Sequence, residues 1–423
     1  MPSTDPAPVS PAAAAAPSPP TAQRRILTVL VFAQILSGAG LAAGITVGAL
    51  LAQDMLASTD LAGLPSALFT AGSALTAIAV GRISQARGRR RGLAAGYLTG
   101  ALGSAGVIAA AVADNPVLLF AALFVYGAGS ATNLQARYAG ADLAGPAHRA
   151  RAVSTVLVAT TLGGVIGPNL AAPTGSLADR LGIPPLAGPF LLAGAAYALA
   201  ALVLSVWLRP DPLLLARDLD LQTAPANVPG TADDAAESHR GTPGLRLGAL
   251  TMILTQFVMV AIMTMTPVHM DHHGHGTAAS GLVIAVHVGA MYLPSPLTGW
   301  LVDRYGRIAV VAASGLTLLA AGILAAAAPG DSVALLALAL ALLGLGWNFG
   351  LVSGTAIITD AVPLATRAKT QGMVDVSIAV AGATGGLASG VVVAAAGYTV
   401  LALAGGVLSL LLLPAIAAVA RSR

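Results

Sequence analysis

Long apolar stretches separated by short polar segments run through almost the whole chain. Most of these stretches hold about 20 residues with few charges, enough for an α-helix to cross the ~30 Å hydrocarbon core of a bilayer. Ala, Leu and Gly dominate them and no period-two polarity is present, which argues against transmembrane strands. The pattern predicts an all-α membrane protein with twelve transmembrane helices. They lie near residues 26–52, 60–80, 92–112, 117–140, 152–174, 186–208, 245–268, 278–302, 308–328, 332–359, 370–396 and 399–420.

The chain contains two copies of one layout, displaced by 218 residues. Gly81 begins a polar turn between two apolar stretches, and Gly299 begins a second turn of the same form. Three further pairs keep this displacement, namely Asp142 with Asp360, Arg149 with Arg367, and Arg151 with Lys369. A constant displacement of several landmarks is improbable by chance, so we interpret the chain as a duplicated unit.

The polar turn of each copy resembles a signature of the major facilitator superfamily. That signature reads Gly-x-x-x-Asp-Arg-x-Gly-Arg and joins the second and third helices of each half. The second copy matches it at Gly299, Asp303, Arg304, Gly306 and Arg307. The first copy keeps Gly81, Gly88 and Arg89, and it has Gln85 and Ala86 in place of the Asp and the Arg. The resemblance implies two six-helix halves related by an axis along the membrane normal, each built of inverted three-helix repeats.

The resemblance also implies a mechanical role for the two turns as an inner gate. A carboxylate near a helix N-terminus is stabilised by the partial positive charge there, so such contacts would hold the gate closed. Asp303 and Arg307 suit this role, whereas Gln85 has no carboxylate. The alternative for the basic residues of the first turn is that they only anchor its orientation in the membrane. These residues are Arg82, Arg87, Arg89, Arg90 and Arg91.

Composition supports a membrane protein independently of the resemblance. Apolar residues make up 56% of the 423 residues and charged residues only 9%, against roughly 25% charged in a soluble domain. Residues 1–22 are rich in Pro, Ala and Ser and predict a disordered cytoplasmic tail. The six-helix halves are predicted at 23–208 and 245–423. The acidic segment 209–244 between them predicts a flexible cytoplasmic linker.

The placement of basic residues predicts the orientation of the chain in the membrane. With the N-terminus inside, Arg180 is the one Lys or Arg in an outer loop, and the others lie on the inner side. By the positive-inside rule, both termini face the cytoplasm and the protein is multi-pass in the plasma membrane. The same placement explains the net charge of +4 without a nucleic-acid partner.

Polar residues inside the predicted spans are candidates for coupling and substrate binding. Asp375 lies about two turns into the eleventh helix, where a lone carboxylate is costly and functional by default. It would carry protons, pair with Arg137 or Lys369, or cap a polar patch near the inner surface. Five neutral residues either line the substrate cavity or tie helices together. They are Gln34, Asn133, Asn169, Gln256 and Asn348.

Met and His pairs on the seventh and eighth helices offer the most specific chemistry. Met259 and Met263 are four residues apart, as are His287 and Met291, so each pair occupies one helical face. Both pairs lie near the midplane, about 9 residues or ~14 Å from the outer ends, where such transporters bind substrate. Thioether and imidazole ligands suit Cu(I). The connecting outer loop, residues 267–275, adds four His and one Met as a capture funnel.

This pairing resembles the CcoA-like copper-uptake branch of the superfamily, which is itself similar to riboflavin-uptake transporters. Two alternatives remain open at this point: His287 serves an organic-solute cavity, or the Met residues only fill gaps in the packing. Residues 163–168 resemble part of the family's antiporter motif, and close helix packing is the alternative for them.

The sequence therefore predicts a monomeric secondary active transporter rather than an enzyme. It would move a small-molecule or metal-ion substrate across the bilayer by alternating access, with copper uptake as the sharpest hypothesis. The alternatives are proton-coupled efflux of a drug-like compound or secondary metabolite, organic-solute uptake, and a non-transporting membrane sensor. No Gly-x-x-x-x-Gly-Lys-Ser/Thr segment is present, so we expect no ATP drive and no cofactor.

Overall fold

The structure, a computed structural model, describes residues 19–56, 64–223 and 243–421. These ranges are built of α-helices and short turns, and they contain no strand. Most of the predicted tail lies outside the described residues, as does the central segment 224–242. The tail as predicted ends too late, because Pro19 already begins the first helix.

The described residues of the first half form seven α-helices. They are α1 (Pro19–Leu56), α2 (Leu64–Arg87), α3 (Arg89–Val112), α4 (Pro116–Ala141), α5 (Arg149–Asn169), α6 (Ala171–Arg180) and α7 (Gly188–Trp207). The start of α4 has a simple local cause, because the Asn115 side chain accepts a hydrogen bond from the Leu118 N–H while Pro116 occupies the first turn. The described part of this half forms its own apolar core around residues such as Leu30, Tyr126 and Tyr197.

A short helix follows the first half, and the second half then repeats the arrangement. These helices are α8 (Pro212–Thr223), α9 (Pro243–His272), α10 (Thr277–Tyr292), α11 (Ser295–Tyr305), α12 (Arg307–Ala327), α13 (Val333–Ala361), α14 (Arg367–Ser409) and α15 (Leu412–Arg421). The predicted eighth span is broken into α10 and α11 before Ser295, where Pro294 precedes the second piece. The core of the second half includes Met259, Trp347 and Ile358, and it extends to Ala150 and Leu157 of the first half.

The described residues contain eleven segments that are long and apolar enough to cross a membrane. The last of these, Arg367–Arg421, has 55 residues and is long enough for two crossings. Its backbone leaves helical geometry at Gly397, where φ is 84°, a value that suits glycine. The prediction of twelve transmembrane helices is therefore confirmed.

The first part of the predicted flexible linker is a helix attached to both halves. The Asp211 carboxylate accepts hydrogen bonds from the N–H groups of Arg89 (3.1 Å) and Arg90 (2.8 Å) at the start of α3. From α8, the Arg217 guanidinium donates to the carbonyl oxygens of Gln85 (2.9 Å) and Leu364 (3.3 Å). The prediction of a flexible linker over 209–244 is thus wrong for residues 209–223, because these charged contacts hold the helix in place.

Candidate functional site

Two tight turns place the signature residues at one end of the helix bundle. Gly88 and Gly306 adopt φ values of 89° and 93°, in the left-handed region that costs glycine little. Each turn reverses the chain between two helices, so that Gln85 and Asp303 stand in the last turn of α2 and α11. We call the end of the bundle that carries residues 81–89 and 299–307 the motif face.

Asp303 binds the N-terminus of a helix in the other half. Its Oδ1 accepts a hydrogen bond from the Ala150 N–H and its Oδ2 accepts one from the Arg151 N–H, both at 3.1 Å. Only 2% of the carboxylate side chain is exposed. A buried carboxylate on the first turn of α5 satisfies N–H groups that have no intrahelical partner. This contact joins α11 to α5 across the two halves.

Gln85 occupies the equivalent position in the first copy, with an amide in place of the carboxylate. Its Oε1 accepts hydrogen bonds from the N–H groups of Ala368 (2.7 Å) and Lys369 (3.3 Å) at the start of α14. Its Nε2 also donates to the carbonyl oxygens of Leu364 (3.1 Å) and Ala365 (2.5 Å). The expectation that Gln85 is the weaker partner overlooked these two donated bonds, which a carboxylate cannot make.

A buried charge cluster lies behind the first turn. Arg89 is fully buried and donates from Nε to Asp142 Oδ2 at 2.7 Å. The guanidinium of Arg367, from the other half, lies 4.0 Å from the same carboxylate. Arg89 also donates to Gln371 Oε1 at 2.5 Å. The alternative that Arg89 is only an orientation anchor is therefore wrong, because a surface anchor needs no buried counter-charge.

The second copy repeats this cluster in a more exposed form. Asp360 pairs with Arg307 of its own half and with Arg149 of the other half. Each cluster thus contains one ion pair within a half and one across the halves, and the members of the two clusters occupy positions related by the displacement of 218 residues. Arg304 of the signature is exposed and forms no ion pair within the described residues.

Close backbone crossings bring the halves together at the motif face. A Cβ on Gly81 would lie 2.9 Å from the Ala368 carbonyl oxygen, and one on Gly299 would lie 2.8 Å from that of Ala150. Such crossings require small residues. Farther from this face, Gly281 and Gly390 have no described atom within 4 Å of a Cβ position. The halves are therefore packed closely together at the motif face.

A buried ion pair joins the halves beneath these crossings. Arg137 on α4 donates from Nη2 to Asp375 Oδ1 on α14 at 2.8 Å, and the two side chains are 0% and 3% exposed. Arg137 also donates to Thr355 Oγ1 at 3.0 Å, and the Tyr138 hydroxyl donates to Asp375 Oδ1 at 3.2 Å. Asp375 Oδ2 has no hydrogen-bond partner in the part of the chain that the structure describes. Among the sequence alternatives, the structure pairs Asp375 with Arg137 and not with Lys369.

An aromatic patch lies deeper in the membrane, in the second half. Trp347 Nε1 donates to Gln256 Oε1 at 2.7 Å, and the rings of Tyr292 and Trp347 meet edge to face with centroids 5.7 Å apart. These three residues stand about 13 residues, or ~20 Å of helix, from the motif-face ends of α9, α11 and α13. A Cβ on Gly382, about two helical turns after Asp375 on α14, would lie 3.2 Å from Gln256 Nε2. The aromatic patch therefore contacts the helix that carries the carboxylate of the cross-half ion pair.

Gln34 and Asn133 tie helices of the first half together. Gln34 Nε2 donates to the Asn133 carbonyl oxygen (3.1 Å) and to Thr160 Oγ1 (3.0 Å). The Tyr97 hydroxyl donates to Gln34 Oε1 (2.6 Å), and Asn133 Nδ2 donates to Ser37 Oγ (2.7 Å). Both residues are buried and engaged by their own half. We therefore assign them to helix packing and not to the substrate cavity.

Asn348 performs the same task in the second half. Its Oδ1 accepts from the Thr298 hydroxyl at 2.5 Å, and its Nδ2 donates to the Met291 carbonyl oxygen and to Ser295 Oγ at 2.7 Å. These partners flank the break between α10 and α11, where backbone groups lose their helical partners. Asn348 is fully buried, so it also belongs to packing. Gln34, Asn133 and Asn348 are thus buried, whereas Gln256 is half-buried.

The predicted Met and His set lies in the core of the second half. Met259 and Met291 are buried there, and Met263 packs against the same core. His287 is fully buried, and its Nδ1 donates to the Leu340 carbonyl oxygen at 2.8 Å. Its Nε2 has no described hydrogen-bond partner. The described residues contain no group of three or more His, Cys, Asp or Glu side chains arranged to hold a metal.

The predicted His-rich outer loop is mostly helical, because α9 continues to His272, and its His side chains make local contacts. The ring of His269 stacks on Tyr398 with centroids 4.3 Å apart, and His273 Nδ1 donates to the His269 carbonyl oxygen at 2.8 Å. His275 Nε2 donates to the Gly330 carbonyl oxygen at 2.8 Å. These contacts hold the loop against neighbouring helices.

Four residues that take part in these contacts were not predicted from the sequence to be functional: Tyr138, Asp211, Thr355 and Gln371. A partial signal existed for Tyr138, which directly follows a basic residue inside a span. Asp211 was visible only as one of several acids in the central segment. Thr355 stands at the duplicated position of Arg137 and carries no charge, so the repeat gave no hint of its contact.

Comparisons with known proteins agree with this architecture. The family model of the Major Facilitator Superfamily matches residues 30–294 and 249–423. The uncharacterized MFS-type transporter YdeG of Bacillus subtilis is 58% identical over 395 residues, covering 93% of this chain and 91% of YdeG. The riboflavin transporter RfnT of Brucella anthropi is 33% identical over 357 residues, covering 84% of this chain and 85% of RfnT.

Solved structures give the same answer for the fold. The human organic anion transporter MFSD10 (TETRAN) superimposes with a TM-score of 0.72 at 17% identity, covering 93% of this chain and 99% of that one. The predictions of a twelve-helix fold and of a transporter rather than an enzyme are confirmed. With matching helices, duplicated turns and relatives of this similarity, the chain is a multi-pass membrane transporter that belongs to the Major Facilitator Superfamily.

Proposed function

We propose that this transporter carries a planar aromatic solute by proton-coupled alternating access. The observation that carries the proposal is the aromatic patch of Gln256, Tyr292 and Trp347 beside the cross-half pair of Arg137 and Asp375. Tyr292 and Gln256 are half-buried, so part of each side chain remains available to a ligand. Apolar and aromatic walls with a few polar groups are typical of small-molecule sites.

The relative RfnT supports a flavin-like solute as the first compound to test. Its name states that it transports riboflavin, and it is 33% identical to this chain. The flavin ring system is flat and carries carbonyl and N–H groups along one edge. Stacking on Tyr292 and hydrogen bonding to Gln256 suit those two properties.

The direction of the proposed transport is uptake by a monomer in the plasma membrane. The excess of Lys and Arg on one side favours a cytoplasmic motif face with cytoplasmic termini. With that orientation, the halves are packed together on the cytoplasmic side, and we infer that the transporter is open toward the outside. A solute then reaches the aromatic patch from outside, and release requires the motif face to open.

Asp375 supplies the proposed link between protons and gating. Its Oδ2 accepts a proton, which removes the negative charge that holds Arg137 across the halves. Loss of that attraction favours separation at the motif face, where Gln85 and Asp303 also hold the halves together. Release of the proton to the cytoplasm restores the carboxylate and the ion pair, and the cycle repeats.

We expect the wild-type protein to restore uptake of radiolabelled riboflavin in cells that lack their own riboflavin transporter. Tyr292→Ala should lower kcat/KM about tenfold, which corresponds to the loss of ~1.4 kcal/mol of binding. Tyr305→Ala is the matched control, because Tyr305 ends the same membrane-crossing segment, Ala278–Tyr305, is 64% exposed and lies at the motif face. Uptake should be unchanged in that control.

Two results would contradict the flavin proposal. The first is that wild-type protein present in the plasma membrane moves neither riboflavin nor any compound of a panel of flat heteroaromatic solutes. The second is that Tyr292→Ala and Tyr305→Ala lower uptake equally, which would mean that the aromatic patch has no special role.

Copper uptake remains the second candidate, because one observation favours it. The buried Nε2 of His287 has no described partner, and Met291 lies one helical turn away. An unpaired imidazole nitrogen next to thioether side chains is a donor set that suits Cu(I). Here copper is the cargo and not a resident cofactor. Met259 and Met263 would complete the set from α9.

Met263→Leu and Met291→Leu test the copper candidate. This exchange nearly preserves volume and costs under ~1.5 kcal/mol in a core, so expression should survive while the sulfur is lost. Copper accumulation should fall sharply in both variants and stay unchanged in Met252→Leu, whose side chain packs against Gly354. Absence of copper uptake by wild type, or full uptake by both variants, would eliminate this candidate.

The remaining alternatives have less support. The relatives do not support a non-transporting sensor, because they are named as transporters. The efflux alternative was based on residues 163–168, which resemble part of the family's antiporter motif. A Cβ on Gly163 would lie 2.6 Å from the Ala39 nitrogen and 2.8 Å from the Gly38 Cα. These contacts with α1 favour helix packing as the reason for the glycines.

A further inference from the structure

A groove with a strongly basic rim opens at the motif face, in the first half. It lies between the start of α1, the start of α5 and the segment that joins α4 to α5, and its volume is about 750 Å³. Arg24, His148 and Arg151 line it together with the hydroxyl groups of Thr28 and Thr155. No acidic side chain is among its described lining residues. The groove therefore suits an anion.

The groove becomes apolar with depth along α1. Arg24, Leu27 and Val31 follow one another at intervals of three and four residues, so they share one helical face. Leu143 and Ala152 extend this apolar wall on the opposite side. A site with cationic groups at one end and an apolar wall at the other matches a phospholipid, whose phosphate and acyl chain lie end to end.

One amide in the groove points to the headgroup chemistry. Gln23 lines the groove and donates from Nε2 to the Gly140 carbonyl oxygen at 2.8 Å. Its Oε1 is buried and accepts no hydrogen bond from the described residues. A buried acceptor without a donor is unfavourable, so a rotation of this amide toward the groove would let it accept a hydrogen bond from a ligand hydroxyl. A headgroup ammonium would instead be repelled by the neighbouring arginines.

We propose that this groove binds an anionic phospholipid whose headgroup carries free hydroxyls, such as phosphatidylglycerol. Its phosphate contacts Arg24 and Arg151, a headgroup hydroxyl donates to Gln23, and an acyl chain follows Leu27 and Val31. Arginine guanidinium groups bind phosphate well because they offer paired donors. Anionic lipids are abundant in the cytoplasmic leaflet, to which the proposed orientation assigns the motif face.

The lipid site shares one residue with the contacts that join the halves. The Arg151 Nε lies 3.8 Å from Asp303 Oδ2, and 46% of the arginine side chain is exposed. The exposed part of the guanidinium remains available to a phosphate, while the Arg151 N–H keeps its bond to Asp303. The lipid therefore contacts the same helix start that closes the motif face, and this holds whatever solute is carried.

Native mass spectrometry of the delipidated full-length protein tests the proposal. We expect dioctanoyl-phosphatidylglycerol to bind more tightly than dioctanoyl-phosphatidylcholine, and glycerol 1-phosphate to bind far more weakly than either. Arg24→Gln should weaken binding of the glycerol lipid about tenfold. Arg25→Gln is the matched control, because this neighbouring arginine is exposed and is not part of the groove lining. It should bind as wild type does.

A second variant keeps the test valid if Arg24→Gln fails to fold. Thr28→Trp leaves the charge unchanged and fills the groove from an exposed position on α1, so it should also lose the lipid. Thermal melting would check that both variants are folded. Equal binding of the two lipids, equal loss in Arg24→Gln and Arg25→Gln, or unchanged binding in Thr28→Trp would overturn the site. Binding of glycerol 1-phosphate as tight as that of the lipid would assign the groove to a soluble phosphate.

Discussion

Asp375→Leu is expected to abolish proton-driven transport and to destabilise the protein by about 3–5 kcal/mol. The variant leaves the Arg137 guanidinium buried between the halves without its counter-charge, at a site where both side chains are almost fully buried. The remaining partners of that guanidinium, such as Thr355, are neutral. Thermal melting of purified protein and uptake by proteoliposomes with an imposed pH gradient would measure the two effects.

The double variant Arg137→Met with Asp375→Leu separates stability from coupling. Replacing both partners of a buried ion pair by apolar residues of similar volume is often neutral or stabilising. We therefore expect the double variant to melt near wild type but to remain unable to use the pH gradient. Asp179→Leu is the control for the change of residue type, because Asp179 is exposed and should shift stability by less than about 0.5 kcal/mol.

The proton-coupling proposal fails if either variant that lacks Asp375 still accumulates solute when only a pH gradient is applied. It fails in a different way if Asp375→Leu melts as wild type does, because Arg137 would then have another counter-charge. The first result would leave the aromatic patch as a solute site. The second would remove the cross-half ion pair as a structural element of the closed motif face.

The helices were predictable because the bilayer imposes a simple rule on the sequence. About 20 apolar residues are needed for each crossing, and polar turns cannot lie in hydrocarbon, so spans and connections separate clearly. The break of the eighth span at Pro294 and the helix at Pro212–Thr223 were missed. The helix is held by contacts of Asp211 with a distant part of the chain, and the break at Pro294 is stabilised by Asn348, which binds the Met291 carbonyl oxygen.

Residues of the candidate site were predictable only where the chemistry of the side chain restricts the partners that it can have. A carboxylate such as Asp303 or Asp375 needs a positive partner or N–H groups wherever it is buried, so it stands out in an apolar chain. An amide makes no such demand. Gln34 and Gln256 look alike in the sequence, yet one lies inside a helix bundle and the other beside Trp347. Only the helix face that each one occupies in the fold separates these roles.

The duplicated residues also show which contacts the sequence could not predict. Their constant displacement revealed the repeat, but it did not reveal that Arg149 pairs with Asp360 and that Arg367 lies near Asp142. Those partners come from opposite halves, and only the closure of the motif face brings them together. Pairing across a pseudo-symmetric interface is a property of the conformation as well as of the sequence.

Gly372→Val is expected to lower transport below about a tenth of wild type by preventing closure of the motif face. A Cβ on Gly372 would lie 2.6 Å from the Ala77 carbonyl oxygen and 3.2 Å from the Gly81 Cα. Both are backbone atoms of the other half, so no side-chain rotation relieves the clash, and the halves must move apart. Overpacking of this kind costs about 1–3 kcal/mol or more, which shifts a two-state population about tenfold for each 1.4 kcal/mol.

Gly390→Val on the same helix is the matched control, because no described atom lies within 4 Å of its Cβ position. The chain has no cysteine, so Ser154→Cys, a fully buried position beside Gly299, can report closure of the motif face. Its reaction with a thiol reagent should speed up in Gly372→Val and stay slow in Gly390→Val. Slow labelling with normal transport in Gly372→Val would mean that the crossing of α2 and α14 is not what closes this face. The contacts of Gln85 and Asp303 would then have to hold the halves together without it.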